Sequence, residues 1–314
     1  MLRSGFGAKG AKSISSMQGG KSTSVDLAGG PDKVIRTLGG SDIKGWYDST
    51  DARLASLAND SDVTTWNDKG PDGQDLTQTT AANKPHYIHS GLNGRPVLRS
   101  DGSDDVMESG NIDWSSTTSA FVLYKSTTET SAGPFGGKNP GGTVKARFGI
   151  AAYNQVDPDR VRTEVLGRGT GDGGGNIQID HYYETTGSAS DIPAVMPSVK
   201  DAFMLSYYEW KIISGESGVD AFTLQSYNKD AVEDIGATLV VNSGETKLTA
   251  DNASTLAGTG FTTEQMQVFR NIHTPGYLTG DIALLIFSNR HYSLKERQKI
   301  SKAIQQKFGN SNIN

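Results

Sequence analysis

The sequence lacks cysteine, so the protein contains neither a disulfide framework nor a thiolate metal site. It also lacks any apolar run approaching the ~18 residues that a membrane-spanning helix needs. The basic residues near the N-terminus are not followed by the apolar segment of a secretory signal, so we expect no such signal. Membrane association is therefore not expected.

Apolar residues are also scarce, at 35% of the chain, whereas 38 of the 314 residues are glycine. This combination is typical of a loop-rich β-protein. Apolar runs of strand length, such as 120–124, 202–210 and 281–287, are separated by turns rich in Gly, Asn, Asp and Ser. This spacing predicts an all-β sandwich. Because such sandwiches commonly exceed 200 residues as one unit, we expect one domain over residues 41–314.

Residues 45–107 contain three motifs rich in aromatic and turn residues. Trp46 and Trp66 are large rings in polar surroundings, which predicts that they fill a core. Asn93-Gly94 is a hairpin signal before a short strand. The order of these motifs resembles the opening of a LamG-like, concanavalin A-like lectin/glucanase domain. The resemblance is carried by Trp46 and Asp48, Trp66 and Asp68, Pro85 and Tyr87, Asn93 to Val97, and Asp101 to Asp104.

The C-terminal end supports the same resemblance. The apolar run 281–287 is followed by a capping box with Ser293 as N-cap and Glu296 at the third helical position. We predict a closing helix at about 293–308, which Gly309 ends. Residues 280–309, GDIALLIFSNRHYSLKERQKISKAIQQKFG, are similar to the family's closing element. The resemblance implies a concanavalin A-like jelly-roll with a C-terminal helix.

Residues 1–40 differ in composition from the rest. This Gly/Ser/Lys-rich segment has six basic and two acidic residues, a charge of +4, and the chain's total of −5 leaves −9 for residues 41–314. Its apolar residues are too few for a core, so we predict an extended arm that anchors to a partner. An arm lying on its own domain is the alternative. The candidate anchors are Arg3, Phe6, Lys9, Lys12, Met17, Lys21 and Val25.

The resemblance implies a binding and display role. LamG-like domains recur on virion surfaces, and a chain without disulfides or a secretory signal favours a bacterial or phage product. The resulting hypothesis is a non-enzymatic virion protein of a phage (capsid decoration, head fibre or tail), made in the host cytoplasm. Its partners would be other virion proteins and a host surface glycan, in multicopy or homo-oligomeric form. Nucleic acid is not an expected partner, because the arm has no Arg-rich run.

Two other functions were weighed against this hypothesis. A free carbohydrate-binding module would use exposed aromatic rings, and the candidate glycan platform is Trp114, Tyr182, Tyr183, Tyr208 and Trp210. A glycosidase is disfavoured, because the Glu-x-Asp-x-x-Glu strand of glucanases with this broad fold is missing. Glu209 and Glu216, for example, lie seven residues apart without an Asp at the needed spacing.

No cofactor is expected apart from calcium, which some LamG-like domains bind at a rim. Asp101, Asp104 and Asp105 form a compact set of hard oxygen ligands suited to that ion. Asp is also the preferred turn residue, and this alternative explains the same residues without an ion.

Overall fold

The computed structural model describes most of the chain. The described residues are 29–112, 117–127, 132–138, 148–154, 160–168, 176–184, 203–212, 222–230, 247–251, 264–270 and 276–309. The predicted arm anchors, Arg3 to Val25, lie outside them. No helix in these ranges is long and apolar enough to cross a membrane.

The chain forms two antiparallel sheets with two short helices, which confirms the all-β class and the sandwich. The strands are β1 Ile43–Asp48, β2 Ser61–Asp62, β3 Thr65–Trp66, β4 Leu76–Thr77, β5 His86–Leu92, β6 Arg95–Asp101, β7 Met107–Ile112, β8 Thr117–Ser126, β9 Ala132–Lys138, β10 Phe148–Asn154, β11 Arg160–Arg168, β12 Asn176–Glu184, β13 Met204–Ile212, β14 Phe222–Asp230, β15 Lys247–Asp251, β16 Glu264–Val268 and β17 Thr279–Ser288. The helices are α1 Pro31–Gly39 and α2 Leu294–Phe308.

In the first sheet the described strands follow the order β14-β13-β8-β17-β6-β5-β2, and β1 also pairs with β17. The second sheet has the order β15-β12-β11-β10-β9-β16-β7-β4-β3. Asn93 and Gly94 both have positive φ in the turn between β5 and β6, which confirms the predicted hairpin. The sheets bury a common core that includes Tyr47, Trp66 and Phe135.

Strand β17 is buried on both faces and organises the first sheet. One of its edges pairs with β8, while the other pairs with β6 over Thr279–Ile282 and with β1 over Leu284–Ser288. The register shifts between Ile282 and Leu284, and the carbonyl of Ala283 accepts a hydrogen bond from the Ser49 amide at 3.0 Å. This bulge lies where the partner strand changes, so residues before it, including Asp281, face β6 and β8 only.

The two helices cover part of the outer face of the first sheet. The capping box of Ser293 and Glu296 is confirmed, and the apolar residues Ile300, Ala303, Ile304 and Phe308 are buried. Leu294, also apolar, is by contrast 46% exposed. It follows the N-cap directly, and the buried face of α2 begins only at Ile300.

Helix α1 lies within the segment that was predicted to be an extended arm. Residues 31–39 are helical, Ile35 is fully buried, and Val34 and Leu38 pack against the same cluster. The last ten residues of the predicted arm are therefore not extended but packed on the domain. Pro31 suits the first helical turn, and Asp32 in that turn complements the helix dipole.

Candidate functional site

Five polar residues line up across the first sheet. The register pairs Asp62 with His86, His86 with Arg99, Arg99 with Asp281, and Asp281 with Lys125. Because directly paired residues of antiparallel strands point to the same face, these side chains form a line across β2, β5, β6, β17 and β8. We refer to Asp62, His86, Arg99, Asp281 and Lys125 as the charged row.

The charged row lies on the outer face of the first sheet. Its sequence neighbours Tyr87, Leu98 and Tyr124 point into the core between the sheets. Alternation along each strand therefore directs the row outwards, on the side where α1 and α2 pack. The helices cover Val97 and Leu123, two residues before Arg99 and Lys125, so the row lies just beyond them along the strands.

Asp281 is the centre of the row. Its side chain is 1% exposed, and it accepts two hydrogen bonds from Arg99, Nε to Oδ1 at 2.6 Å and Nη2 to Oδ2 at 3.1 Å. Lys125 Nζ lies 2.9 Å from Asp281 Oδ2 and 5.2 Å from the ring centre of Phe203. The hydrogen bond to Asp281 raises the pKa of Arg99. The Arg99 side chain is nevertheless 47% exposed, so part of the guanidinium faces solvent.

His86 extends the row towards the sheet edge. Its Nδ1 lies 3.0 Å from Asp60 Oδ1, and its Nε2 lies 3.6 Å from Asp62 Oδ1. All three side chains are exposed. Asp60 has φ 63°, a left-handed conformation that Asp tolerates better than most residues, and its amide donates to the Tyr87 carbonyl at 2.8 Å. The imidazole is thus held between two carboxylates.

A turn after β6 adds three carboxylates beside the row. Oxygens of Asp101, Asp104 and Asp105 lie within 4.8 Å of one another. The Asp101 amide donates to Asp105 Oδ2 at 2.9 Å, and the Ser103 amide donates to Asp101 Oδ1 at 2.8 Å. Gly102 has φ 83° and lies so close to Thr279 that a side chain would clash there. The turn is therefore fixed against β17.

Asp105 is the one buried member of this turn. Its pKa is raised from 3.8 to about 6, mainly by burial and to a lesser extent by the charges of Asp101 and Asp104. The hydrogen bond from the Asp101 amide and the charge of His86 act in the opposite direction. Near pH 6 the Asp105 carboxyl group is therefore only partly ionised.

The turn is compatible with the calcium prediction in the type of its ligand atoms and in the distances between them. Oxygens bound to one calcium ion at 2.3–2.6 Å lie at most about 5 Å apart, and the three carboxylates meet that limit. Two of their oxygens also accept amide hydrogen bonds within the turn, which explains the cluster without an ion. Calcium binding stays a prediction.

Because the pKa of Asp105 is raised, the difference in stability between the wild-type protein and an Asp105→Asn variant should depend on pH. The folded protein binds a proton between about pH 4 and pH 6 that the unfolded chain releases, so this group's contribution to stability falls as the pH rises through that range. We expect Asp105→Asn to remove this pH-dependent contribution to the free energy of unfolding, which amounts to at most about 3 kcal/mol. Urea unfolding of both proteins at pH 4, 5, 6 and 7 measures it. A stability difference that does not change with pH would contradict the assignment.

A second charged cluster ties the helices to the sheet. Asp48, fully buried at the end of β1, contacts Lys69 Nζ at 3.0 Å and also Lys307 Nζ. Asp32 of α1 contacts the same two lysines, at 2.7 and 2.6 Å. Burial opposes ionisation of Asp32, but the lysine hydrogen bonds lower its pKa overall. We refer to Asp32, Asp48, Lys69 and Lys307 as the ionic clamp, and its role is structural.

One side chain of the predicted aromatic platform, that of Tyr208, lies in the part of the chain that the structure describes. Tyr208 is fully buried in the core between the sheets, so that prediction is wrong for this residue. Trp114 lies outside the described residues, as do the side chains of Tyr182, Tyr183 and Trp210. The backbone of Trp210 pairs with Thr118, and that of Tyr182 pairs with Arg162.

The fold is similar to that of several solved structures. No family model and no curated protein matches the chain. Among solved structures, an arabinofuranosidase complexed with arabinofuranosyl-α-1,2-xylobiose matches at 12% identity and a TM-score of 0.52. A GH54 α-L-arabinofuranosidase soaked with a cyclic sulfate inhibitor matches at 11% identity and a TM-score of 0.50. Both matches cover 89% of this chain and 65% of the other chain, so the chain spans about two thirds of their length.

These matches correct two predictions. The non-enzymatic virion role rested on the LamG-like resemblance, whereas three solved structures that share this fold at a TM-score of 0.50 or more are arabinofuranosidases. The virion assignment and the exclusion of enzymatic activity are therefore both wrong. The absence of one glucanase motif was a weak argument against an enzyme, because it tests one arrangement of carboxylates and not the fold.

Proposed function

We propose that the protein binds carbohydrate at the charged row, on a sandwich of the concanavalin A-like jelly-roll type. The observation that carries the proposal is the exposed, pre-positioned set of Arg99 and His86 around buried Asp281. A few fixed polar groups confer orientation and specificity on small-molecule sites. Guanidinium and carboxylate groups form strong hydrogen bonds with hydroxyl groups because one partner is charged.

The fold comparison supports the ligand class. The two arabinofuranosidase structures named above share the fold, and one of them holds arabinofuranosyl-α-1,2-xylobiose. At 12% identity this likeness concerns the fold, so the location of the site in this chain rests on the charged row. Arabinofuranosyl xylo-oligosaccharides are the first ligands to test.

Calorimetric titration after a glycan array tests the proposal. We expect the wild-type protein to bind at least one glycan, and Arg99→Gln to weaken that binding at least tenfold, about 1.4 kcal/mol. Lys44→Gln is the matched control, because Lys44 forms an exposed ion pair with Asp72 at 2.9 Å outside the row. An array without any bound glycan, or equal affinity of the Arg99 variant, would overturn the proposal.

Glycoside hydrolysis is a second candidate, favoured by the turn at Asp101–Asp105. A carboxyl group with a pKa of about 6 lies within 4.8 Å of two other carboxylates. Retaining glycosidases place an acid and a nucleophile about 5–5.5 Å apart. Sugar release from the same glycans measures it, and we expect Asp105→Asn to abolish turnover while binding persists. Undetectable turnover by the wild-type protein would eliminate this candidate and leave binding.

A further inference from the structure

We infer that the charged row selects neutral glycans over anionic ones, and that Asp281 sets this selectivity by pairing with both Arg99 and Lys125. The inference rests on the proposed carbohydrate binding and concerns the same site. It specifies the charge class of the ligand.

The first step is the balance of charge around the row. In the described residues, the row and its neighbours present six carboxylates, those of Asp60, Asp62, Asp101, Asp104, Asp105 and Asp281. The row contains two permanent cations, Arg99 and Lys125, and His86 adds a positive charge only when it is protonated. A uronate or sulfate group approaching this surface would meet a net negative potential.

The second step is the pairing of the two cations. Arg99 forms two hydrogen bonds to Asp281, and Lys125 forms an ion pair with the same carboxylate. Asp281 is 1% exposed, so its charge is shielded from solvent and acts mainly on these two neighbours. An anionic sugar would therefore gain little net attraction from either cation, because the charge of Asp281 already acts on both of them.

The third step is that the pairing leaves donors for neutral ligands. The guanidinium group carries five N–H donors, of which two bond Asp281. The remaining donors belong to a side chain that is 47% exposed. Asp62 and His86 add an acceptor and a ring nitrogen beside it. Hydroxyl groups can use all of these groups without introducing another charge.

Removal of one charge tests the inference. In Asp281→Asn, Arg99 and Lys125 lose their common counter-ion and become a cationic pair, of which Arg99 is the more exposed member. We measure affinities for a neutral arabinofuranosyl xylo-oligosaccharide and for the same backbone carrying a glucuronosyl group. For the wild-type protein we expect at least tenfold preference for the neutral ligand, and for Asp281→Asn at least a tenfold shift of that ratio towards the anionic one.

A second variant and a salt series keep the test decisive if Asp281→Asn does not fold. Asp60 is highly exposed and Asn tolerates its positive φ, so Asp60→Asn should fold and relax the preference by about twofold to fivefold. The wild-type preference should also shrink between 20 and 500 mM NaCl, because salt screens exposed charges.

The outcomes separate this inference from the proposed function. If the wild-type protein binds neither ligand nor any glycan on the array, carbohydrate binding itself fails. If it binds glycans but prefers the glucuronosyl ligand, or shows equal affinities at low salt, only the selectivity inference is overturned. An unchanged ratio in a folded Asp281→Asn variant would show that Asp281 does not set the selectivity.

Discussion

Replacing Asp48 with Asn should destabilise the protein by about 3 kcal/mol, because it removes the buried anion of the ionic clamp. Lys69 and Lys307 both contact this carboxylate, and the exposed fractions of their side chains are only 12% and 14%. In the variant these two cations would share the half-exposed Asp32 alone. Asp48 also accepts hydrogen bonds from the amide and hydroxyl groups of Thr50, at 2.9 and 2.7 Å. Urea unfolding measures the loss.

Asp72→Asn provides the matched control for the ionic clamp. This substitution breaks the ion pair between Asp72 and Lys44. Because both side chains are partly exposed, it should lower the free energy of unfolding by less than about 1 kcal/mol. Equal losses in the two variants would mean that burial does not distinguish the clamp from a surface pair. The claim that Asp48 joins both helices to the sheet would then be wrong.

Ile304→Asp should be still more destabilising, by about 4 kcal/mol or more. Ile304 is completely buried in the cluster that α2 shares with Trp46, Phe121 and Leu284. An aspartate there would be a charge without a partner in an apolar environment. Thermal unfolding followed by circular dichroism should show a large drop in Tm or loss of the cooperative transition.

Leu294→Asp is the control on the same helix. Leu294 is 46% exposed and lies in the first turn, where an acidic residue also complements the helix dipole, so the change should be within about 0.5 kcal/mol. If Ile304→Asp melted like the wild-type protein, α2 would not pack on the first sheet.

Features of the fold that depend on local signals could be predicted from the sequence. The capping box at Ser293, the hairpin at Asn93 and the apolar run of β17 are each specified by adjacent residues. Helix α1 was missed although Pro31 and the paired glycines at 39 and 40 mark its ends. Its short apolar face is buried only because α2, about 260 residues later, packs against it.

The charged row could not have been predicted in the same way. His86, Arg99, Lys125 and Asp281 are spread over almost 200 residues, and the register of three strand pairs brings them together. The available signal was weak: an acidic residue, Asp281, at the head of a buried apolar strand. A charge in that position needs a counter-ion from a neighbouring strand, but the sequence does not say from which.

The functional prediction failed at a different level. The resemblance correctly implied a β-sandwich, but a sandwich hosts many functions, and extending it to a virion role used the fold as evidence for function. The candidate platform failed at Tyr208 because β13 is buried on both faces. Tyr208 lies in the core between the sheets, and its neighbour Tyr207 is buried in the cluster beneath the helices.

Titration of the isotope-labelled protein with an arabinofuranosyl xylo-oligosaccharide, followed by amide and arginine Nε resonances, tests the central claim most directly. Binding at the charged row predicts that the largest shifts occur at His86, Arg99 and Asp281 and in the turn at Asp101–Asp105. Resonances of α2 and of the Lys44–Asp72 pair should not change. Shifts confined to other strands would contradict the location of the site, and the absence of shifts with this ligand and with every glycan on the array would contradict carbohydrate binding.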